Sequence, residues 1–266
     1  MKRVAVFLVI AGLTTMFASG QKKETRTVSG FTGIDASSVF DITVTKGNVE
    51  SLVIEADDAV MPFVRSEVRN GVLHLYLDDE KKIRNVTSLK AFVVMKNLEK
   101  VSLSGACKLT ANDLFTPDRF KADCSGASSL AIHLNTGGLN IDASGAGKIQ
   151  MKANVTGNVK LDVSGTSKIQ GELKADRVQF SSSGVSSVDL TGSASDLKID
   201  VSGTSSIKAG HFTVKTATVN SSGSSKVTVN VAENLKVNSA GVSTVEYKGS
   251  PAINANTGNT SKIRKI

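Results

Sequence analysis

Several side chains in this sequence have the type and spacing to do chemistry. Asp123, Asp142, Asp162 and Asp200 recur three residues before a glycine, with Ser181, Asn220 and Asn238 standing at the same offset in other copies. A row of carboxylates could hold calcium, which takes several oxygens. Against this, the Gly/Asp nonapeptide of calcium-binding β-rolls is missing, and Lys108, Lys148, Lys168 and Lys226, three residues after the same glycines, are placed to screen the charge. The acidic runs Asp57–Asp58 and Asp78–Asp79–Glu80 fall in turn-like segments. Sugar cleavage needs two carboxylates at a set separation, or an acid paired with a base. His74, His133 and His211 are dispersed, without metal-ligand spacing. A serine stands two residues after most of the glycines, but the same serine in unit after unit with no histidine partner is a poor nucleophile. Cys107 and Cys124 fall on neighbouring units and form a possible disulfide, provided their Cα atoms come within about 7 Å. No catalytic, cofactor-binding or metal-binding residue is therefore assigned.

What holds these residues in common register is a repeated phrase. SGACKL at 104–109, SGASSL at 125–130, SGAGKI at 144–149, SGTSKI at 164–169, SGVSSV at 183–188, SGTSSI at 202–207, SGSSKV at 222–227, AGVSTV at 240–245 and TGNTSKI at 257–263 are copies of one unit. Their glycines, Gly105, Gly126, Gly145, Gly165, Gly184, Gly203, Gly223, Gly241 and Gly258, are separated by 21, 19, 20, 19, 19, 20, 18 and 17 residues. Four residues after the glycine stands an aliphatic, from Leu109 through Ile149 to Val245, and four before it stands Val101, Ala122, Ile141, Leu161, Phe180, Ile199, Val219 or Val237. Apolar and polar residues alternate on both sides, the period-two signature of strands with one buried face. Each unit reads as strand, tight turn, strand, with glycine supplying the positive φ of the bend. Small residues two positions after the glycine, among them Ser128, Gly147, Ser167 and Ser186, should stack inside a crowded corner, where their hydroxyls can satisfy one another.

One such unit cannot bury its own apolar face, but stacked units can. The fold expected is all-β, a right-handed parallel β-helix whose equivalent positions lie about 4.8 Å apart along the axis. A propeller would need a repeat near forty residues, and the leucine-rich consensus is absent. Residues 101–266 form the regular repeats. Residues 21–100 are strand-like without the phrase, with β-rich runs at Phe40–Val44, Ser51–Ile54, Val72–Leu77 and Ala91–Met95 and a hairpin turn at Asn70–Gly71. They read as an irregular start of the same structure, able to cap its open end.

Residues 1–20 begin with Lys2 and Arg3, continue as an apolar run from Val4 to Ala18 and end in small residues. That is the layout of a cleavable signal peptide, with cleavage expected before Gln21. The run is shorter than the roughly 20 residues that span a bilayer, and no transmembrane segment is expected in the mature chain. Removing two cations lowers the formal charge from +8 to +6. The remaining basic residues are scattered singly or in short loops such as Lys81–Arg84, unlike the concentrated basic face of a nucleic-acid binder. With no Trp and only Tyr76 and Tyr247, the chain is also poor in the flat aromatics on which sugars stack.

The stretch Gly30-Phe31-Thr32-Gly33-Ile34 with Val39-Phe40-Asp41-Ile42-Thr43-Val44 and Lys46-Gly47, then Glu67-Val68-Arg69-Asn70-Gly71-Val72-Leu73-His74-Leu75, followed by serial Ser-Gly turns, resembles the "putative auto-transporter adhesin, head GIN domain" family of exported bacterial proteins. The resemblance covers essentially the whole mature chain. It implies a right-handed β-helix related in shape to pectin lyases but without their catalytic residues, and a role in cell adhesion. Together these readings predict a non-enzymatic exported module, periplasmic, on the cell surface or released, that needs no cofactor. Its partner would be a surface glycan, a protein or another copy of itself. The alternative is a polysaccharide lyase or hydrolase of pectin-lyase-like shape.

Overall fold

The computed structural model describes residues 20–78 and 86–266. Residues 1–19, which hold most of the expected signal peptide, lie outside the described residues, as do Asp79, Glu80 and the Lys81–Arg84 loop. The chain is a parallel β-solenoid built from two stacks of strands, one on each side of the recurrent turn.

In the stack before the turn, Gly33–Ala36 pairs with Lys100–Leu103, followed by Arg119–Cys124, Gly138–Ala143, Asn158–Val163 and Arg177–Ser182, all parallel. The stack after the turn runs from Asp41–Lys46 through Lys108–Phe115, Ser129–Thr136 and Lys148–Val155 to Lys168–Lys174. The strands Ser187–Val201, Ser206–Ser221 and Lys226–Ser239 each serve both stacks, which end at Ala252–Thr257 and Lys262–Lys265. Register follows the sequence alignment: Ile141 lies beside Leu161, and Leu161 beside Phe180. These inward residues form one continuous core from Val28 to Val245.

Eight of the nine predicted turn glycines have positive φ, between 68° and 99°. Stacking gives them a second reason to be glycine. A Cβ on Gly126 would lie 2.5 Å from the carbonyl oxygen of Gly105, and one on Gly145 would lie 2.5 Å from that of Gly126. The same carbonyls accept the N–H of the residue after the next glycine, as in Ala127 N to Gly105 O at 2.8 Å. Gly258 departs from the pattern. Ser239 pairs with Thr257 and Thr244 with Lys262, so Asn259 takes the place opposite Gly241, and Gly258 is absent from the positive-φ glycines. The phrase TGNTSKI carries one more residue between its glycine and its aliphatic than the other copies do, which displaced the alignment by one.

The solenoid also begins earlier than the phrase. Ser38, with φ of 79°, occupies the first turn, and Phe40 stands where later coils carry Cys107 or Ser128. Between this coil and the next, the chain forms antiparallel strands that extend both stacks. Val64–Arg69 pairs with Val72–Leu77 through the Asn70–Gly71 turn, both residues having positive φ. Gln21–Arg26 pairs with Ser51–Asp57, which pairs in turn with Leu89–Met95. A 3₁₀ turn, Met61–Phe63, interrupts them.

Candidate functional site: an axial groove between two ladders

Strand alternation and strict register place the predicted aspartates in a single outward file. Asp123, Asp142, Asp162, Ser181, Asp200, Asn220 and Asn238 are consecutive cross-strand neighbours, and the file continues to Ser102 and Asp35 at one end and Asn256 at the other. Two residues further along each strand, just before the turn, comes a second outward file: Ser125, Ser144, Ser164, Ser183, Ser202 and Ser222. Between the files runs a groove of about 730 Å³ parallel to the solenoid axis. The serine side is tied to its own scaffold, since Ser125 Oγ donates to Leu103 O at 3.3 Å and Ser202 Oγ to Ser182 O at 3.4 Å.

Charge in the groove is balanced differently from the sequence expectation. The lysines three residues after the glycine lie beyond the turn, and Lys108 and Lys226 pair with Asp41 at 3.6 Å and with Glu246 at 3.0 Å. The partners of the file come instead from two residues earlier on the same strand, which share its face. Lys121 reaches Asp123 at 3.1 Å, Lys160 reaches Asp162 at 2.5 Å and Lys198 reaches Asp200 at 3.0 Å. At Asp142 the lysine is replaced by Asn140, whose Nδ2 donates at 3.4 Å. Burial, then the flanking Asp123 and Asp162, push the Asp142 carboxyl above the usual carboxylate range. Toward the C-terminal end amides take over, with Asn220 Nδ2 donating to Asp200 at 2.6 Å and Asn238 Nδ2 to Asn220 Oδ1 at 2.8 Å. Among the described residues no three His, Cys, Asp or Glu side chains converge to hold a metal ion.

The other predicted groups have structural employment. The serines two residues after the glycine are buried, and Ser182, Ser186 and Ser205 bond to one another inside the corner, with Ser205 Oγ 3.1 Å from each of the other two. Ser221 Oγ bonds Ser239 Oγ at 2.9 Å, and Ser225 Oγ bonds Ser243 Oγ at 3.3 Å. The possible disulfide is not formed: Cys107 and Cys124 are buried free thiols. Burial pushes them up to about 11 and about 12. Burial also raises Asp57, but bonds from Thr87 Oγ1, Thr87 N and Ser88 N outweigh it and hold the carboxyl below its ordinary value. Asp78 pairs with Arg65 at 3.0 Å. His74 lies 3.5 Å from Asp35, at the start of the aspartate file. His133 and His211 lie on the strands after the turn, away from the groove. The serine file and the groove were not singled out from the sequence, although their signal, a serine before the glycine in copy after copy, is plain in the repeat.

An all-β parallel solenoid with outward polar ladders and an axial groove is the class that these features define. The family model for "putative auto-transporter adhesin, head GIN domain" matches residues 30–158 and 152–251, and the chain belongs to this family. No curated protein matches it. Among solved structures it is similar to a "putative adhesin" from Parabacteroides merdae, at 20% identity and a TM-score of 0.75 over 94% of this chain and 97% of the other. It is similar also to a "putative adhesin" from Parabacteroides distasonis, at 19% identity and a TM-score of 0.73 over 94% and 98% of the two chains. A third, a "putative lipid binding protein" from Parabacteroides distasonis, matches at 17% identity and a TM-score of 0.66 over 94% and 98%. At these identities the likeness is one of fold. No helix among the described residues is long and apolar enough to cross a membrane.

Proposed function

We propose that the protein is a non-enzymatic, exported adhesion module that binds an extended partner along the axial groove. The observation that carries this reading is the pairing of two in-register ladders, one of carboxylates and amides and one of hydroxyls, along successive coils. A linear ligand lying parallel to the axis meets a hydrogen-bonding group roughly every 4.8 Å, so many weak contacts add up without a deep pocket. Most carboxylates of the file are neutralised by a lysine or bonded by an amide, an arrangement suited to recognition rather than to proton transfer. The family description and the neighbouring adhesins support adhesion, and the basic-apolar start of the chain supports export, to the periplasm or the cell surface. We assign the antiparallel strands within residues 21–100 the role of a cap over one end of the solenoid.

Protease treatment of intact cells, followed by detection of the native protein, tests the location; complete protection would sink a surface role. For the groove, beads coated with the protein should be retained by target cell surfaces. Tyrosine at the exposed groove positions Ser144 and Ser183 should abolish retention while leaving the melting temperature unchanged. Retention equal to that of the native protein would remove the groove from the reading.

A further inference from the structure

The charges on the two outer faces are complementary, file against file. Three residues before the turn glycine stand the aspartates of the groove. Three residues after it, on the other stack, an outward file runs through Lys108, Lys148, Lys168 and Lys226. This file keeps strict register, because the bulges of its stack lie further along the strands. Asn112 and Asp113 are extra residues opposite Ile132 and His133, and one more residue enters between Lys208 and His211. Both stacks enclose one core, so their outer faces point away from each other and the two files of one chain cannot meet.

Each file carries charge that its own chain leaves unmatched. Among the described residues Lys148 and Lys168 are exposed, lie side by side across the ladder and make no ion pair. In the groove Asp142 has Asn140 where its neighbours have lysine, and burial with the flanking Asp123 and Asp162 holds its carboxyl above the usual range. An anionic partner would satisfy the first face and a cationic partner the second. A second copy of this chain supplies both, at the same spacing of about 4.8 Å, because one solenoid sets both ladders.

The order of residues along the files decides how two parallel copies fit. Displaced by one coil, the second copy sets Lys148 opposite Asp123 and Lys168 opposite Asp142. The same displacement brings Lys108 to Asp35 and Lys226 to Asp200, and offers the Ser187 hydroxyl to Asp162. Level alignment fits less well, since it sets Lys108 against Ser102, Lys226 against Asn220 and Asp41 against Asp35, a like-charge pair.

We propose that the axial groove receives the lysine file of a second, parallel copy of this chain, displaced by one coil. This rests on the reading of the groove as a binding surface for an extended partner. The two surfaces are different patches, so the contact is heterologous. Each added copy leaves one of each free, and copies stack sideways rather than stopping at a pair.

Sedimentation equilibrium of the purified chain tests the assignment. Its mean mass should rise above the monomer with concentration at about 0.1 M salt and return to the monomer at about 1 M, as the Debye length falls from about 10 Å to about 3 Å. The double change Lys148→Glu with Lys168→Glu should weaken association at least about tenfold, and so should Asp123→Lys with Asp142→Lys, since each sets like charges opposite one another. An equimolar mixture of the two variants, each with the native melting temperature, should associate again. A native chain that stays monomeric at the lower salt, undiminished association of the lysine variant, or no recovery on mixing would each overturn the proposal. Association lost in the lysine variant but intact in the aspartate variant would assign the lysines to a separate anionic ligand and overturn it too. If the native chain is monomeric yet its retention on cells is still abolished by Ser144→Tyr, the second copy is wrong and the groove reading stands. If neither retention nor association responds to Ser144→Tyr, both fall.

Discussion

Gly105 sits directly over Ser38: a Cβ built on the glycine would lie 2.4 Å from the serine carbonyl oxygen, and the N–H of Ala106 donates to that same oxygen at 2.7 Å. The two residues have nearly the same φ, 73° and 79°. Among the described residues Ser38 opens this column of turns. Every later member except the last is glycine because the turn beneath it fills that space.

Gly145→Ala is therefore expected to cost at least about 1–2 kcal/mol from the left-handed backbone alone, with more from the carbonyl of Gly126 at 2.5 Å. Urea unfolding of the variant measures it. An unchanged midpoint would mean that the turn relaxes without loss.

Gly147 is a different kind of glycine. It has no positive φ, lies in the internal file between Ser128 and Ser167, and a Cβ there would meet its nearest neighbour at an ordinary 3.5 Å. Gly147→Ser would continue the hydroxyl ladder. It should stabilise by about 0.4–1 kcal/mol through the unfolded chain's lost freedom. A lower unfolding midpoint would show that the corner has no room.

Cys107 and Cys124, with thiols pushed up to about 11 and about 12, carry almost no thiolate near neutrality. Both should resist alkylation in the native protein and react, as two equivalents, once it is unfolded. Fewer than two equivalents after unfolding without reductant would indicate the disulfide that the structure lacks.

Glu246 is only 5% exposed and is held by Arg264 and by Lys226, with Arg264 Nε at 3.1 Å and Lys226 Nζ at 3.0 Å. Arg264 first and Lys226 second bring its carboxyl down to about 2 from an ordinary 4.5. The folded state thus binds fewer protons than the unfolded chain between these values. The stabilisation is complete above about pH 4.5 and disappears as pH falls through about 2. Glu246→Gln should flatten the acid limb of a plot of stability against pH. The native slope persisting in the variant would assign acid sensitivity to other groups.

The middle coils were legible because each contributes one residue of each kind at a nearly constant interval, so the file Asp123, Asp142, Asp162 followed from counting. The first coil was hidden twice, by serine in place of glycine at Ser38 and by the long excursion before its partner strand. Lys160 was passed over as a partner for Asp162 because the repeat draws the eye across the turn, whereas shared strand faces connect residues two apart. The bulge at Asn112–Asp113 is fixed by Lys46, a contact between distant residues that no local pattern records.

The excursion also lengthens the loop that the first coil must close. Ile141 meets Leu161 across one ordinary coil, but Ile42 meets Leu109 across the much longer stretch of intervening strands. Closing the longer loop costs about 1 kcal/mol more. The middle coils are expected to zip first, as nearest-neighbour repeats do. Amide protection should then appear in Asn158–Val163 before Asp41–Lys46, and the reverse order in pulse-labelled hydrogen exchange would refute this. The end of the solenoid made first by the ribosome would be the end that closes last.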